Sequence, residues 1–335
     1  MRLRAAVIGL GVGEAHIAGY RAHAGCEVVA VSDVDPVRLE EVGARHPGLR
    51  LEPDPGALLD DPGIDVVSIA SYDDAHFAQV SRALRNGKHV FVEKPLCLDP
   101  GEARQLHELR AAHPRLRMSS NLPLRLSPRF LAVRDALAAD RLGRIYYAEA
   151  DYEYGRLWKL TEGWRGRLPY YSVVLGGAVH VVDLLLWLTG ERVVRVTAHG
   201  NRIATEGTRF RYDDFVIAVL ECASGTILKV TANFACVQPH FHALKLFGTE
   251  GTFVNGREAG TLWLGRDDDP RAETIDAPYP GVLKGDLIAS FVEAILTGGD
   301  AVVTEDDVFA TMDVLFAIEH AVRSGTPVEL PFTAQ

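Results

Sequence analysis

In the first third of the chain, short apolar runs alternate with segments whose apolar residues recur at helical spacing. The runs are rich in β-branched residues, which is typical of strands buried on both faces of a parallel sheet. They are Leu3–Ile8, Glu27–Val31, Val66–Ala70 and Lys88–Val92, with predicted helices such as Val37–Arg45 and Ala75–Asn86 between them. This repetition predicts right-handed crossovers and a doubly wound parallel sheet, an α/β fold.

After about residue 121 the pattern changes to longer strand-like stretches separated by turn residues. Ala223-Ser224-Gly225 joins two of them and is a typical hairpin sequence. We predict a mostly antiparallel open sheet with helices on one face, an α+β arrangement. The stretches are Ile145–Tyr154, Val193–Ile203, Phe210–Cys222, Thr226–Cys236 and Phe241–Gly248, and the predicted helices are near Pro128–Ala139, Val179–Leu188, Asp286–Leu296 and Asp306–Arg323.

Length and composition add three expectations to this picture. A chain of 335 residues exceeds the size at which one core stops growing, so we predict two domains, 1–121 and 122–335. The formal net charge of −10 does not favour binding to nucleic acid or to an anionic membrane. The four cysteines contain no C-x-x-C pair, so we expect no disulfide framework, no metal site and a cytoplasmic location.

A glycine-rich turn, Gly9-Leu10-Gly11-Val12-Gly13, follows the first strand and precedes a helix. In this context Gly9 permits the tight turn and Gly11 lets a pyrophosphate approach the backbone at the helix N-terminus. The usual third glycine would stand at position 14, which is Glu14, so Gly13 lies one residue early. The turn indicates a dinucleotide cofactor; the alternative is a glycine turn without a ligand.

The end of the second predicted strand carries Asp33, about twenty residues after the glycines. A carboxylate there bonds the adenosine ribose hydroxyls and repels a 2′-phosphate, which favours NAD over NADP. Arg38 lies on the next helix, where its positive charge softens that preference. The alternative role for Asp33 is that of a helix cap before Pro36.

The segment Gly87–Pro95 contains a buried strand that ends in the pair Glu93-Lys94 beside Pro95. In an open α/β sheet, ligands bind at the carboxyl ends of the strands. A lysine at such an end stabilises negative charge that develops on a reacting oxygen. Lys94 is therefore a candidate catalytic residue; the alternative is a surface ion pair that ends a strand.

Together these segments resemble the glucose–fructose oxidoreductase / inositol dehydrogenase / rhizopine-catabolism (Gfo/Idh/MocA) family, nearly from end to end. The resemblance implies an N-terminal Rossmann domain, a C-terminal substrate-binding domain, and hydride transfer between NAD and a secondary alcohol of a sugar, cyclitol or nucleotide-sugar. It also implies a homodimer or homotetramer formed through the C-terminal sheet. The segments that carry it are VIGLGVGEAH, VSDVDP, SYDDAH, GKHVFVEKP, Arg125 with Pro128, Gly163-Trp164-Arg165, and GGAVHVVDLLLWLTG.

The resemblance implies a role for individual residues. Lys94 corresponds to the family's catalytic lysine, often followed by a cis proline, and His180 corresponds to its general acid/base. A histidine exchanges protons near neutral pH, which suits that role, whereas a histidine in so apolar a run has the alternative of a structural role. Asp183, one helical turn after His180, is implied to support that helix. The positions implied to line the cofactor are Ser71, His76, Glu93 and Lys94 itself.

One position departs from the family pattern. Many sugar and inositol dehydrogenases carry an aspartate four residues before the histidine, where this chain has Gly176. We expect Tyr170 or Tyr171 to replace that carboxylate, unless the substrate does not need the contact. The other candidate substrate or cofactor contacts are Arg125, Trp164 and Arg165, with the core as the alternative for Trp164.

Two further histidines, His240 and His242, lie on one face of a predicted strand. They are a conceivable metal pair, but no third ligand stands out, and a pocket wall or sheet surface is the favoured interpretation. Two other functions remain open: an NAD-dependent redox glycosidase, and a non-catalytic NAD-binding regulator. The presence of both Lys94 and His180 argues against the regulator.

Overall fold

The computed structural model describes residues 2–333, which belong to two compact units. The first contains the residues up to Leu126 together with Val282–Ala310, and the second contains Ser127–Gly281 and the residues from Thr311 onward. This differs from the single boundary predicted near residue 121, because a late segment belongs to the first unit.

The first unit is built on a six-stranded, all-parallel sheet of strand order β3-β2-β1-β4-β5-β6. The order reverses between β1 and β4, which in open α/β sheets creates a crevice for a ligand at the carboxyl ends of the strands. The doubly wound sheet is thus confirmed. Its strands are β1 (Leu3–Ile8), β2 (Cys26–Ser32), β3 (Arg50–Glu52), β4 (Val66–Ile69), β5 (His89–Val92) and β6 (Met118–Ser120).

Three of the crossover helices begin with the same Asp-Pro pair. The aspartate accepts a hydrogen bond from the N–H two residues further on, and the proline occupies a first-turn position that needs no N–H donor. These helices are α2 (Pro36–Arg45), α3 (Pro55–Asp60) and α5 (Pro100–Ala112), and the others of this part of the chain are α1 (Glu14–Arg21) and α4 (His76–Arg85).

The late segment of the first unit contains the helix α9 (Asp286–Thr297). A Cβ on Gly19 of α1 would clash with the carbonyl oxygen of Gly285, so the two backbones are in contact there. The ring of Phe291 also lies 5.7 Å from that of Phe91 on β5. These contacts explain why α9 belongs with the parallel sheet, although it begins at Asp286, more than 260 residues after α1 ends at Arg21.

The second unit is built on a nine-stranded sheet of order β14-β13-β12-β11-β7-β10-β9-β8-β15, antiparallel except for the pair β7–β10. All five predicted stretches are present, and the hairpin at Gly225 joins β9 to β10. The strands β12 to β14 were not predicted, since their sequences, GTFVN, GTLWL and RAETI, are not continuous apolar runs and are too short to show a clear alternation. The strands are β7 (Ile145–Glu153), β8 (Val193–Asn201), β9 (Phe215–Cys222), β10 (Ile227–Asn233), β11 (Phe241–Gly248), β12 (Gly251–Asn255), β13 (Gly260–Leu264), β14 (Arg271–Ile275) and β15 (Val328–Glu329).

One face of this sheet packs against the apolar helix α8 (Val179–Thr189), which a π-helical turn (Val174–Ala178) precedes. The helix is buried along most of its length and ends at Gly190, whose φ of 65° lies in the left-handed region. The other helices are α6 (Pro128–Ala138), α7 (Trp158–Thr161) and α10 (Glu305–Ser324), which crosses the boundary between Ala310 and Thr311.

Successive residues of a strand point to opposite faces of a sheet. The residues that alternate with the buried ones therefore lie on the face opposite α8, and several of them are charged. Lys229 pairs with Asp151 at 2.7 Å, and Lys245 pairs with Glu149 at 2.8 Å. This face therefore carries ion pairs, and assembly through it stays a prediction. Within residues 2–333, none of the helices has the length and apolar character that crossing a membrane requires.

Candidate active site

The glycine turn between β1 and α1 is closed by two glycines that no larger residue can replace. Gly9 has φ of 84°, and a Cβ on it would clash with the carbonyl of Ala70 at the end of β4. Gly13 is the N-cap of α1, and a Cβ there would clash with the carbonyl oxygen of Gly9. The third glycine is thus needed at position 13 to close the turn, and Glu14 instead pairs with Arg45.

The end of β2 lies beside this turn. The buried carboxylate of Asp33 accepts the backbone N–H of Leu10 at 2.7 Å and that of Asp35 at 2.9 Å. The cap of α2 is Asp35, so the helix-cap role considered for Asp33 is wrong. The nearest atom to a Cβ on Gly11 would be Nη1 of Arg38, at 3.2 Å.

These residues fit a dinucleotide. Among residues 2–333, apart from the chain neighbours of Gly11, the Arg38 guanidinium supplies the one atom within 4 Å of the Cβ position, so a ligand can approach the backbone there. The helix α1 begins at that point, and unpaired N–H groups at a helix N-terminus favour a phosphate. The Asp33 carboxylate next to them supplies acceptor oxygens for ribose hydroxyls.

The loops that follow β4 and β5 are joined by His76. Its Nδ1 lies 2.6 Å from the carbonyl oxygen of Pro95, and its Nε2 lies 3.2 Å from that of Ser71. The imidazole is fully buried, and the Ser71 hydroxyl donates to Gln79 at 2.8 Å. His76 therefore holds the backbone next to Lys94, whose peptide bond to Pro95 is cis.

Glu93, at the carboxyl end of β5, is buried in a polar network. Its Oε1 accepts a hydrogen bond from Asn121 at 2.7 Å and lies 3.4 Å from Nε2 of His16. Burial raises the pKa of Glu93, but His16, Lys284 and Lys94 outweigh that effect and hold the pKa well below its usual range. The carboxylate is therefore ionised at the strand end that precedes Lys94.

Sequence reasoning missed His16 and Asn121 as members of this network. A signal was available for Asn121, because it follows β6 directly and the ends of parallel strands share one edge of the sheet. His16 lies on α1, and its Nδ1 contacts the hydroxyl of Ser68 on β4 at 2.7 Å. That contact depends on how α1 packs on the sheet, which no local pattern indicates.

In the second unit, His180 occupies the first turn of α8, within a cluster of rings. It stacks on Tyr152 with 5.8 Å between ring centroids, and its ring centroid lies 6.0 Å from that of His242 at 77° between the planes. The ring centroid of His240 lies 4.7 Å from that of His242. Burial raises the pKa of Tyr152 well above its ordinary value, and Asp183 is fully buried one turn after His180.

The space beside Gly176 is filled by Tyr171. A Cβ on Gly176 would clash with the Tyr171 hydroxyl, which accepts a hydrogen bond from Nε of Arg165 at 2.9 Å. Gly176 belongs to the π-helical turn that leads into α8, and it stands four residues before His180. The hydroxyl of Tyr170 instead donates to Glu319 at 2.8 Å.

Arg165 also lies over three aromatic rings. Its guanidinium carbon is 4.6 Å from the centroid of Trp164, 5.6 Å from that of Tyr171 and 6.0 Å from that of Tyr154. Burial raises the pKa of Tyr154, but Arg165 and Lys159 outweigh it, so the net shift is downward. Trp164 is only partly buried, so it is not a core residue.

The remaining candidates are Arg125 and the two histidines of the predicted strand, His240 and His242. Arg125 is buried, with Nη1 2.8 Å from the carboxylate of Asp307, so its contact with a ligand stays a prediction. His240 and His242 lie against aromatic rings, and no group of three or more His, Cys, Asp or Glu among residues 2–333 is arranged to hold a metal ion.

Comparison with known proteins defines the class of this chain. Residues 3–120 match the Gfo/Idh/MocA oxidoreductase family, NAD-binding Rossmann fold, and residues 130–254 match the Gfo/Idh/MocA C-terminal domain. Inositol 2-dehydrogenase 1 of Saccharopolyspora erythraea is 30% identical, with 98% of this chain and 97% of that protein covered. The scyllo-inositol 2-dehydrogenase (NAD(+)) of Bacillus subtilis is 27% identical, with 98% and 96% covered. The chain belongs to the Gfo/Idh/MocA family of oxidoreductases.

Solved structures agree on the fold. Levoglucosan dehydrogenase in complex with NADH and levoglucosan superimposes with a TM-score of 0.85 at 21% identity, covering 99% of this chain and 100% of that one. The predicted combination of a Rossmann domain with a mostly antiparallel second sheet is thereby confirmed. The chain is an NAD-dependent oxidoreductase of this family.

Proposed function

We propose that the protein oxidises a secondary alcohol of a cyclitol or sugar with NAD as the acceptor, and that Lys94 and His180 are the catalytic pair. The observation that carries the proposal is the ionised Glu93 at the end of β5, next to Lys94. Asn121 donates a hydrogen bond to this carboxylate. The inositol dehydrogenases among its relatives support the substrate class.

Each residue has a distinct task in this reaction. His180 takes the proton of the substrate hydroxyl, and Lys94 orients the oxygen and stabilises its negative charge. Gly9, Gly11 and Asp33 hold the cofactor. Bound NAD supplies the acceptor for the hydride that leaves the substrate carbon.

The test is an absorbance assay of NADH formation with the purified protein, NAD and a panel of polyols. The panel contains myo-inositol, scyllo-inositol, 1,5-anhydro-D-glucitol, levoglucosan and a β-glucoside. We expect NADH to accumulate with at least one free polyol. Release of sugar from the glucoside without NADH accumulation would instead support a redox glycosidase, and no reaction with any of them would contradict the proposal.

The cofactor preference is a second expected outcome of the same assay. The Asp33 carboxylate repels a 2′-phosphate, so kcat/KM for NAD is expected to exceed that for NADP by about tenfold or more. Because Arg38 lies beside Gly11 and counteracts Asp33, Arg38→Ala is expected to widen the gap. Equal kcat/KM values for both cofactors in the wild type would contradict this preference.

We further propose that Tyr171, rather than Tyr170, contacts the substrate in place of the missing carboxylate. Its hydroxyl occupies the space next to Gly176, four residues before His180, and accepts a hydrogen bond from Arg165. The Tyr170 hydroxyl is directed to Glu319.

Tyr171→Phe is therefore expected to lower kcat/KM for the polyol by about five- to tenfold, the usual worth of one neutral hydrogen bond. The matched control is Tyr170→Phe, which removes the same group one residue away and is expected to stay within about twofold of the wild type. Steady-state kinetics on both variants provides the measurement. A larger loss in Tyr170→Phe than in Tyr171→Phe would exchange the two assignments.

A further inference from the structure

His242 on β11 makes two contacts with the same hydroxyl group. Its backbone N–H donates to the Tyr279 hydroxyl at 2.8 Å, and its ring Nδ1 lies 2.6 Å from that oxygen. The side chain of His242 is buried, and that of Tyr279 is partly buried. The pair is far apart in sequence, so only the tertiary fold brings it together.

This geometry determines which ring nitrogen of His242 carries the proton. A backbone N–H can only donate, so the Tyr279 oxygen is its acceptor. The hydrogen bonds of residues 2–333 give the phenol proton one acceptor, Nδ1 of His242, so we infer that the proton is directed there. Burial raises the pKa of Tyr279, so the phenol keeps its proton. Burial, with a smaller effect of His240, lowers the pKa of His242 to about 3, so the ring is neutral. A neutral ring that accepts at Nδ1 carries its proton at Nε2.

The pair is held in place by the buried Arg129 on α6. Its guanidinium lies 5.2 Å from the ring centroid of Tyr279 and donates to the side chain of Asn255 at 3.1 Å. Asn255 in turn donates to the carbonyl oxygen of His242 at 2.9 Å. One buried cation therefore fixes both members of the pair; its other acceptors are the carbonyl oxygens of Gly256, Glu258 and Ala277.

The ring of His242 lies in the cluster around His180, 5.4 Å from Tyr152 and 6.0 Å from His180. We propose that His242 is a specificity-determining residue, a neutral Nε2–H donor for a substrate oxygen beside the carbon whose hydroxyl meets His180. The role rests on the proposed dehydrogenase function. The ligand it suits is a vicinal diol, in which two neighbouring oxygens meet two imidazoles.

The first test measures the kinetics of two His242 variants, with the polyol of the panel that the wild type oxidises best as the substrate. His242→Gln places a side-chain amide N–H near the position of Nε2, whereas His242→Leu removes the donor and keeps the bulk. We expect kcat/KM to fall about 10²-fold in the leucine variant and less than about tenfold in the glutamine variant. Equal losses in both variants would overturn the proposal, since they would show that the N–H donor of the glutamine side chain does not matter for the reaction.

A second readout uses the deoxy analogue of that polyol, which lacks the neighbouring hydroxyl. In the wild type, kcat/KM for the hydroxylated substrate is expected to exceed that for the analogue by about 10²-fold or more. The reason is that the analogue leaves the Nε2–H of His242 without an acceptor. His242→Leu is expected to lose most of this preference, and an unchanged preference would contradict the assignment. The affinity for NADH, measured by fluorescence, is expected to stay the same in all variants.

The third readout does not depend on activity. Two-bond ¹H–¹⁵N spectra of protein labelled at histidine nitrogens, assigned by the signal missing in His242→Gln, are expected to show the Nε2–H tautomer at pH 7. Tyr279→Phe is expected to convert this signal to a mixture of tautomers. An Nδ1–H tautomer in the wild type would overturn the proposal even for an active enzyme. Failure of the wild type with every polyol would overturn the dehydrogenase function, and this role with it.

Discussion

Lys94→Ala is expected to lower kcat for the polyol by about 10²–10³-fold, the range observed when one preorganised donor to a developing oxyanion is removed. The affinity for NADH is expected to change by less than about threefold, because other side chains hold the backbone on either side of position 94. His76 holds the carbonyl oxygen of Pro95, and Asn121 holds Glu93. The loss therefore belongs to the chemical step.

Single-turnover kinetics, together with fluorescence titration of NADH, separates the two effects. Lys94→Arg keeps the positive charge with a different geometry, so its activity is expected to lie between those of the wild type and the alanine variant. Lys245→Ala, which removes a partly exposed lysine from the opposite face of the second sheet, provides the matched control and is expected to retain full activity. Normal turnover of Lys94→Ala would refute the catalytic assignment.

His180→Gln is the second large effect, expected to lower kcat by about 10²–10⁴-fold, since a general base contributes that range. A glutamine amide has a donor and an acceptor but takes up no proton at neutral pH. The stack on Tyr152 accommodates a planar amide, so the unfolding midpoint is expected to change little. The pH profile of kcat/KM distinguishes the roles: its acid limb is expected to vanish in the variant.

The chain offers a matched control for this substitution. His199 is exposed on β8, so His199→Gln removes an imidazole from the same unit without touching the ring cluster and is expected to retain wild-type kinetics. If His180→Gln kept the acid limb, another group would be the base. A similar loss in the His199 variant would show that the measurement reports stability rather than chemistry.

The parallel sheet was predictable because four of its strands, β1, β2, β4 and β5, are apolar runs that alternate with segments of helical periodicity. The cofactor turn was predictable for the same reason: Gly9 and Asp33 each directly follow a strand. By contrast, the short strands β12 to β14 give no periodic signal, and the place of α9 depends on a backbone contact between Gly19 and Gly285. Periodicity describes one segment at a time and does not report which distant segment covers it.

The sequence by itself determined the family, the dinucleotide turn and the candidate pair Lys94 and His180. Each of these depends on a short contiguous motif, and the properties of such a motif can be worked out from its own residues. Tertiary structure alone decided the network of His16, Glu93 and Asn121, and the choice of Tyr171 over Tyr170 beside Gly176. It also brought the Tyr279 hydroxyl to Nδ1 of His242, which lies 37 residues away along the chain. Such contacts depend on strand register and helix packing, and burial makes their hydrogen bonds and charges matter.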